Sequence, residues 1–295
     1  MDRYEAMRVF TRIVERRSFT RAAEDLGLPR ATATEAIKAL EARLGVRLLQ
    51  RTTRHVSPTL DGEAFYGRCL QLIADLEDAE TAFAGTKPRG MLRVEVHGTL
   101  AGHHLVPRLP EFVAAYPDIE LHLSEGDRFV DPMREGVDCV VRVGVLKDSD
   151  MIARRLGMLE EVTCASPAYC ARRGVPRSLK DLAGHSMVGF RSSATGTVMP
   201  LEFTVGASLR TMILPASITV AGAETYRAAA LAGLGLIQAP RYRLAKYFAS
   251  GELQPLLEDF PPSPSPVSIL YPRAKQLSPR LRVFIDWAAT VIDVR

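Results

Sequence analysis

The chain has 295 residues, of which 47% are hydrophobic, and a formal net charge of +4. A chain of this length is too long for a single hydrophobic core, so two or three globular domains are predicted. No apolar run of about 18 residues is present, as a membrane helix needs, and the opening "MDRYEAMRVF" lacks the apolar region of a secretory leader. We therefore expect no membrane segment, no signal peptide and a cytoplasmic location.

The four cysteines are scattered, without the C-x-x-C spacing of zinc or redox motifs. In a cytoplasmic chain this pattern favours buried, reduced thiols over a disulfide framework. A redox-sensing role for one of them is the alternative interpretation. The positions are Cys69, Cys139, Cys164 and Cys170.

The positive charge is concentrated near the N-terminus. Residues 1–58 contain 12 lysines and arginines against 7 acidic residues, a net charge of +5, whereas the rest of the chain has 26 against 27. Such asymmetry is typical of a small segment that binds a polyanion, attached to a larger body that does not.

The N-terminal segment has the pattern of three short helices. Apolar residues recur at helical spacing over residues 3–16, which predicts a first amphipathic helix. A second helix follows, capped by the hydroxyl of Ser18 or Thr20. Residues 27–29, "GLP", interrupt the chain, and a third helix is predicted from about Arg30. Two helices joined by a short glycine-containing turn are typical of a helix-turn-helix motif.

The third helix has a small, polar side that suits the major groove of DNA, which the second helix of such a motif enters. Arg30 suits guanine or a phosphate, Thr34 suits base edges, and Lys38 suits a phosphate. Glu35 must accept from a cytosine amino group or pair with Arg30 or Lys38. An ordinary solvated face is the alternative interpretation. The polar side comprises Arg30, Thr32, Thr34, Glu35 and Lys38, and the expected core side Ala33, Ile37, Leu40 and Leu44.

Residues 45–59, "GVRLLQRTTRHVSPT", alternate as a basic hairpin beside this helix. Such a hairpin is suited to bind the DNA backbone as a wing. Each phosphate that it neutralises would release counterions, so affinity should fall steeply with salt. Its polar residues are Arg47, Arg51, Thr52, Thr53, Arg54 and His55.

The stretch "SFTRAAEDLGLPRATATEAIKALEARLGVRLLQRTTRHVSPTLDGEAF" resembles the winged helix-turn-helix of LysR-type transcriptional regulators. The match follows the family pattern S-F-x-x-A-A, then L-x-x-x-L-G, R-x-x-R-x-V and T-x-x-G. The resemblance implies that Arg30, Ala31, Thr34 and Glu35 occupy contact positions of the recognition helix, and that Arg51 and Arg54 lie in the wing. Residues 35 and 36 are Glu-Ala here, where the family often has Arg-Gln, so base preference does not transfer from relatives.

Residues 59–86 have a continuous helical pattern with an apolar seam. At 1.5 Å per residue this helix spans roughly 40 Å, too long to be stable without a partner. Dimerisation through the helix, which the resemblance also implies, is favoured over a helix lying on its own domain. Residues 85–90 are predicted to be a hinge. The expected seam comprises Leu60, Ala64, Leu70, Ile73, Leu76 and Phe83.

From residue 91 onward, strands alternate with helices, which predicts an α/β sheet with crossover connections. Because the strand "PVSILYP" precedes the last helix, we expect the chain to return to a first subdomain. The prediction is a winged helix-turn-helix domain (1–58), a linker helix and hinge (59–90) and an effector domain (91–295). Subdomain I covers about 91–161 and 268–295, and subdomain II about 162–267. The pair resembles the type 2 periplasmic-binding-protein fold.

An effector cleft is expected at the carboxyl ends of the strands. Gly98, Thr99 and Leu100 should line it, because they follow a strand and begin a helix. Arg142 is a candidate anchor for a carboxylate, with a structural salt bridge as the alternative. Phe190 and Gln238 are candidates for the opposite wall. We expect a small anionic or aromatic-acid metabolite as effector.

No catalytic constellation, cofactor motif or metal set emerges from the sequence. His97, His103 and His104 lack suitable ligand spacing and are expected to be polar loop residues. A transporter's solute-binding module would need an export signal, and a DNA-modifying enzyme would need an acid/base pair or metal cluster. The sequence therefore predicts a non-enzymatic, ligand-responsive transcriptional regulator that binds double-stranded DNA. By resemblance it should form homodimers and homotetramers.

Overall fold

The computed structural model describes residues 1–51, 56–84, 87–126, 136–144, 146, 151–193, 195–273 and 277–292. The first part of the chain forms a small head of three helices and a two-stranded hairpin, followed by a long helix. These elements are α1 (Arg3–Arg16), α2 (Phe19–Asp25), α3 (Arg30–Leu44), β1 (Leu49–Arg51), β2 (Val56–Pro58) and α4 (Leu60–Ala84).

Local hydrogen bonds explain where the head helices begin. Asp2 and Glu5 form a reciprocal capping box at the start of α1. Of the two predicted caps of α2, Ser18 is the one used, and its hydroxyl accepts from the Arg21 amide. Arg16 bonds Asp25 through two nitrogens, at 2.6 and 3.0 Å, which ties the end of α1 to the end of α2.

The predicted core side of α3 is buried with one exception. Ala33, Ile37 and Leu40 pack into the head core together with apolar residues of α1 and α2. Leu44 was expected there too, but 40% of its surface is exposed. The expectation was wrong for Leu44 because it lies in the last turn of α3, directly before the helix ends at Gly45.

The long helix α4 packs on α1 from Phe65 as far as Glu77, which accepts from the Tyr4 hydroxyl at 3.5 Å. The Phe65 ring lies 5.5 Å from that of Phe10, and the Tyr66 hydroxyl donates to Glu15 at 3.3 Å. Leu70 is buried, whereas Leu60, Leu72 and Leu76 are exposed in this single chain. The apolar seam is thus divided between the chain's own core and an open face.

The remaining chain folds into two lobes. Its elements in chain order are β3 (Gly90–Val96), α5 (Gly98–Leu100), a π-helical turn (Ala101–Leu105), a 3-10 turn (Val106–Arg108), α6 (Leu109–Ala115), β4 (Ile119–Glu125), β5 (Cys139–Val143), β6 (Met151–Leu159), β7 (Glu161–Ala165), α7 (Pro167–Arg173), a 3-10 turn (Asp181–Gly184), β8 (Gly189–Phe190), β9 (Leu201–Val205), β10 (Ser208–Met212), β11 (Thr219–Val220), α8 (Ala223–Leu231), β12 (Ile237–Pro240), α9 (Arg241–Ala249), β13 (Gln254–Pro255), β14 (Ser265–Pro272) and α10 (Pro279–Val291).

The first lobe contains a five-stranded sheet in the order β4-β3-β5-β14-β6. Strands β4, β3 and β5 run parallel, whereas β14 is antiparallel to both β5 and β6. Strand β14 brings the chain back into this sheet, as expected from the strand "PVSILYP" before the last helix. The sheet is mixed, so crossover connections explain only its parallel part. Its core includes Leu92, Phe112, Val267 and Phe284.

The second lobe is built on the antiparallel sheet β12-β7-β13, the parallel pair β8 and β11, and the hairpin β9-β10. The chain passes between the lobes twice, from β6 into β7 and again on the way into β14. All four cysteines are buried, free thiols. In the described part of the chain, no helix is long and apolar enough to cross a membrane.

Candidate DNA interface and ligand cleft

The recognition helix α3 begins at an open, uncapped end. The turn before it contains Gly27, whose φ of 65° is a backbone conformation that favours glycine. Pro29 is the N-cap of α3 and provides no side-chain hydrogen bond to it. The first backbone N–H groups of the helix therefore have no side-chain cap, as suits a helix end that approaches phosphates.

The outer side of α3 carries the side chains that the sequence predicted to read DNA. Arg30, Ala31, Thr32, Glu35 and Lys38 are exposed, and Thr34 is half-buried. The Thr34 hydroxyl donates to the Arg30 carbonyl at 3.1 Å, and Lys38 Nζ lies 2.8 Å from Glu35 Oε1. Of the roles left open for Glu35, pairing with Lys38 is the one present here.

The wing is held against α3 by a carboxylate. Glu41 Oε1 accepts from the amides of Leu48 and Leu49, at 2.8 and 3.0 Å, where the chain enters β1. Strands β1 and β2 pair antiparallel, with Arg51 opposite Val56, which confirms the predicted hairpin. Thr52, Thr53, Arg54 and His55 lie outside the described residues.

The T-x-x-G segment of the sequence joins the wing to α4. The Thr59 hydroxyl accepts from the Gly62 amide at 3.0 Å and donates to the Arg47 carbonyl at 2.6 Å. A Cβ atom on Gly62 would lie only 2.0 Å from the Leu48 carbonyl oxygen. This glycine therefore allows the start of α4 to pack directly on the wing backbone.

A cleft of about 490 Å³ opens where the two lobes meet. Its lining comprises residues 97–99 and 125–126 of the first lobe and residues 222–225 of the second. These segments follow β3, β4 and β11, so the cleft lies at the carboxyl ends of strands, as expected for an α/β sheet. Its volume is within the usual range for small-molecule sites.

Of the three candidate residues that follow β3, Gly98 lines the cleft and so does Thr99. Its hydroxyl shares hydrogen bonds with His97 Nδ1 at 3.0 Å and with the Tyr242 hydroxyl at 3.3 Å. Tyr242 belongs to α9 of the second lobe, so Thr99 connects the cleft to a contact between lobes. Leu100 points elsewhere and is fully buried in the first-lobe core.

Arg142 forms a structural salt bridge, which was the alternative to its role as a carboxylate anchor. One of its terminal nitrogens lies 2.8 Å from Glu95 Oε1, and the other donates to the Gly126 carbonyl at 2.9 Å. Glu95 is only 4% exposed. Arg142 thus supports the cleft wall from behind, through Gly126.

The two candidates on the opposite wall pack within the second lobe. The Phe190 ring lies 5.1 Å from that of Tyr226. The Gln238 side-chain amide donates to Thr163 Oγ1 at 2.9 Å and to the Glu202 carbonyl at 2.7 Å. Neither residue is part of the cleft lining.

Sequence reasoning missed Glu125 and the segment 222–225. The segment contains Gly222, the N-cap of α8, and the rule that located Thr99 at a strand-to-helix turn applies equally after β11. Glu125 ends β4 and borders a segment outside the described residues. Its place in the cleft follows from the parallel pairing of β3 and β4, which no local pattern revealed.

The expectation of polar loop histidines was wrong for His103 and His104, whereas His97 lies in the connection between β3 and α5. His103 and His104 lie in the π-helical turn, and their ring centroids are 4.6 and 4.8 Å from that of Tyr242. Desolvation and the neighbouring His103 lower the pKa of His104. Among the described residues, no group of three His, Cys, Asp or Glu side chains is arranged to hold a metal ion.

A helix-turn-helix with a wing, joined by a long helix to a two-lobed domain with a cleft, defines a DNA-binding regulator with a ligand-binding domain. The comparisons with known proteins agree. Residues 4–63 match the family model described as a bacterial regulatory helix-turn-helix protein of the lysR family, and residues 85–293 match the LysR substrate binding domain. The chain belongs to the LysR family of transcriptional regulators.

Relatives resemble the chain over nearly its whole length. It is 38% identical to the uncharacterized HTH-type transcriptional regulator YhjC of Escherichia coli, covering 99% of this chain and 98% of that one. A transcriptional repressor of Pseudomonas aeruginosa is 36% identical, over 97% of this chain and 91% of its own length. The structure of CrgA from Neisseria meningitidis is 32% identical, with a TM-score of 0.59 and 98% coverage of each chain.

Proposed function

We propose that this regulator contacts DNA through the outer side of α3 and the wing. The contact residues in this proposal are Arg30, Ala31, Thr32, Thr34, Glu35, Lys38, Arg51, Thr52 and Arg54. The supporting observation is that α3 buries Ala33, Ile37 and Leu40 on one side while its opposite side stays small, polar and open to solvent. A groove-reading helix needs that combination.

A mobility-shift assay on the DNA next to the protein's own gene tests this proposal. We expect retardation that weakens steeply with salt, because phosphate contacts release counterions. Specific retardation must exceed that of a scrambled duplex of equal length. Equal affinity for both duplexes would contradict sequence-specific reading by α3.

We further propose that the effector binds in the cleft between the lobes and that Thr99 contacts it. Arg142 would act through Gly126, while Leu100, Phe190 and Gln238 would shape the surrounding walls. The contact of Thr99 with Tyr242 supports a link between ligand binding and the relative position of the lobes. Thermal shifts across a metabolite panel, repeated with Thr99→Ala, test it, since the variant should lose the ligand-induced shift.

We propose that α4 mediates homodimerisation and that dimers associate into homotetramers. The exposed face of α4 presents Leu72 and Leu76, which lie one turn apart on the same side of the helix. Open leucines on a helix of 25 residues indicate a missing partner helix. Multi-angle light scattering on the full chain measures the assembly directly.

The remaining parts of the proposal concern organisation and location. We propose a DNA-binding domain at 1–58, a linker at 59–90 and an effector domain at 91–295 whose subdomain II covers about 162–267. We also propose that the protein acts in the cytoplasm and does not turn over its effector. An assay for consumption of any stabilising metabolite tests the absence of enzymatic activity.

A further inference from the structure

Among the described charged residues that line or flank the cleft, one is left without an ion-pair partner. We propose that the effector of this cleft is a small amphoteric molecule carrying a protonated amine and a carboxylate, with Glu125 as the counter-ion of the amine. This inference rests on the proposed role of the cleft as the effector site. It follows from which charged groups near the cleft are already paired and which one is not.

On the first lobe, the nearest cation is already neutralised. Arg142 pairs with Glu95 at 2.8 Å, and Glu95 is almost fully buried. Removing Arg142 from this pair to bind a free carboxylate would leave the buried Glu95 unpaired, which is costly. Arg142 is therefore not available as the anchor of an anionic ligand.

On the second lobe, the acidic group of the lining is also paired. Glu224 forms an ion pair with Arg227, one turn along α8, and its other oxygen lies 3.8 Å from a terminal nitrogen of Arg243. Glu224 therefore adds little net charge to the cleft. Its partners lie outside the lining residues, so they do not offer a free cation at the cleft surface.

Glu125 is the exception. Its side chain is exposed at the end of β4 and lines the cleft, and it has no ion-pair or hydrogen-bond partner within the described ranges. A Cβ atom on Gly98 would lie 2.8 Å from Glu125 Oε2, so the carboxylate lies against the floor of the cleft. One uncompensated negative charge in a concave site attracts a cation.

The opposite wall of the cleft offers hydrogen-bond donors to a ligand. Helix α8 begins at Gly222, which provides no side-chain cap, and its first residues line the cleft. The N–H groups of this nine-residue helix and its dipole favour a carboxylate at that end. A ligand with an amine toward Glu125 and a carboxylate toward α8 would satisfy both walls and connect the lobes.

Matched sets of small molecules test this inference by thermal shift and calorimetry on the full chain. Each set contains an amino acid, the amine without its carboxylate and the acid without its amine. One set is phenylalanine, phenethylamine and 3-phenylpropanoate, and a second is leucine, isoamylamine and 4-methylpentanoate. We expect an amino acid to stabilise the protein more than either truncated partner.

The decisive variant is Glu125→Gln, with Glu120→Gln as its matched control. Glu120 is also an exposed acid of β4, but it lies outside the cleft lining. Loss of the ion pair should weaken binding of the stabilising amino acid about tenfold, whereas the control should bind as the parent does. If Glu125 only stabilises the start of α5, the variant would change the melting temperature without ligand and leave affinity unchanged.

Three results would overturn the inference. They are stabilisation by acids that lack the amine, unchanged affinity in Glu125→Gln, and no response to any amine-bearing member of the sets. The mobility-shift assay is run in parallel on the same preparations. Retained specific DNA binding together with one of those three results refutes the ligand class alone. A metabolite-induced thermal shift that Thr99→Ala leaves unchanged refutes the cleft as the effector site, and equal affinity for specific and scrambled duplexes refutes sequence-specific DNA binding.

Discussion

The pair of Glu35 and Lys38 shows how single residues shape the DNA-reading side of α3. Both side chains are more than half exposed, so their ion pair is weak and opens easily. While the pair is formed, Lys38 neutralises the Glu35 carboxylate and so reduces its repulsion from the phosphates of bound DNA. When it opens, Lys38 is free for a phosphate and Glu35 for a cytosine amino group.

The substitution Arg30→Ala tests the first residue of this helix. Losing a bidentate contact should weaken specific binding by about 1–3 kcal/mol, with a smaller effect on nonspecific duplex. Fluorescence anisotropy on specific and scrambled duplexes measures both affinities. Arg210→Ala is a suitable control, because Arg210 is exposed on β10 of the second lobe. An equal loss on the two duplexes would assign Arg30 to phosphate binding instead.

Glu161 begins β7, directly after the chain passes between the lobes. Burial raises the pKa of its carboxyl from 4.5 to about 7, with Glu202 also raising it and Ser265 and Arg243 opposing the shift. Between these two pH values the native state therefore keeps the Glu161 carboxyl protonated, whereas the unfolded chain loses that proton. The free energy of unfolding should fall as pH rises from about 4.5 to about 7, and level off above.

The neutral variant Glu161→Gln should lose this pH dependence. We expect it to be more stable than the parent at pH 8, by about 1 kcal/mol or more, and similar to it at pH 4. Urea unfolding at several pH values measures the difference. Glu160→Gln provides the control, since Glu160 is exposed and paired with Arg241. Parallel pH profiles for parent and Glu161→Gln would contradict the assignment.

At the scale of elements, the joint between the wing and α4 depends on Gly62. An added methyl group would meet the Leu48 carbonyl at 2.0 Å, so either β1 or α4 must shift. Gly62→Ala should destabilise the head by about 1–3 kcal/mol and lower DNA affinity, because the wing moves relative to α3. Thermal unfolding and anisotropy measure the two effects.

A matched control is available for that substitution. Gly102 also lies in a helical segment, but an added Cβ would meet nothing within 4 Å. Gly102→Ala should therefore be neutral or slightly stabilising. If Gly62→Ala and Gly102→Ala have the same stability and DNA affinity, the chain accommodates a methyl group at Gly62 without loss of stability.

The wing as a whole should act through phosphates. Arg54→Ala is expected to lower affinity for all sequences to a similar extent and to reduce the salt slope by about one. Titrations of binding against salt concentration determine that slope for parent and variant. A slope equal to that of the parent would remove Arg54 from the phosphate contacts.

At the scale of the whole molecule, the exposed leucines of α4 decide how many heads act together. Leu72 is 53% exposed, and a charge there should prevent a second helix from packing. Leu72→Glu should give monomers by light scattering and lower operator affinity at least about 100-fold, since two tethered heads bind far more tightly than one. Leu209→Glu, at a comparably exposed leucine on β10, should remain assembled. If Leu72→Glu still assembles, the dimer contact lies elsewhere in the chain.

Sequence patterns predicted the elements whose signals are local. Helical spacing located α1, the T-x-x-G and R-x-x-R motifs indicated the wing, and the alternation of strands with helices indicated the α/β part of the chain. Strand β6 and the hairpin β9-β10 were missed, because β6 carries adjacent charged residues such as Arg154 and Arg155 and β10 is largely exposed. Neither has the regular alternation of a half-buried strand.

The sequence by itself determined the family, the polar side of the recognition helix and the position of the cleft at strand ends. Periodicity and motif spacing carry those features within a few neighbouring residues. Only the tertiary structure decided that Arg142 is paired with Glu95, that Leu100 is buried and that Glu125 and residues 222–225 line the cleft. Side-chain partners in this fold come from segments far apart in the chain, so their charges cancel or remain free only once the lobes are packed together.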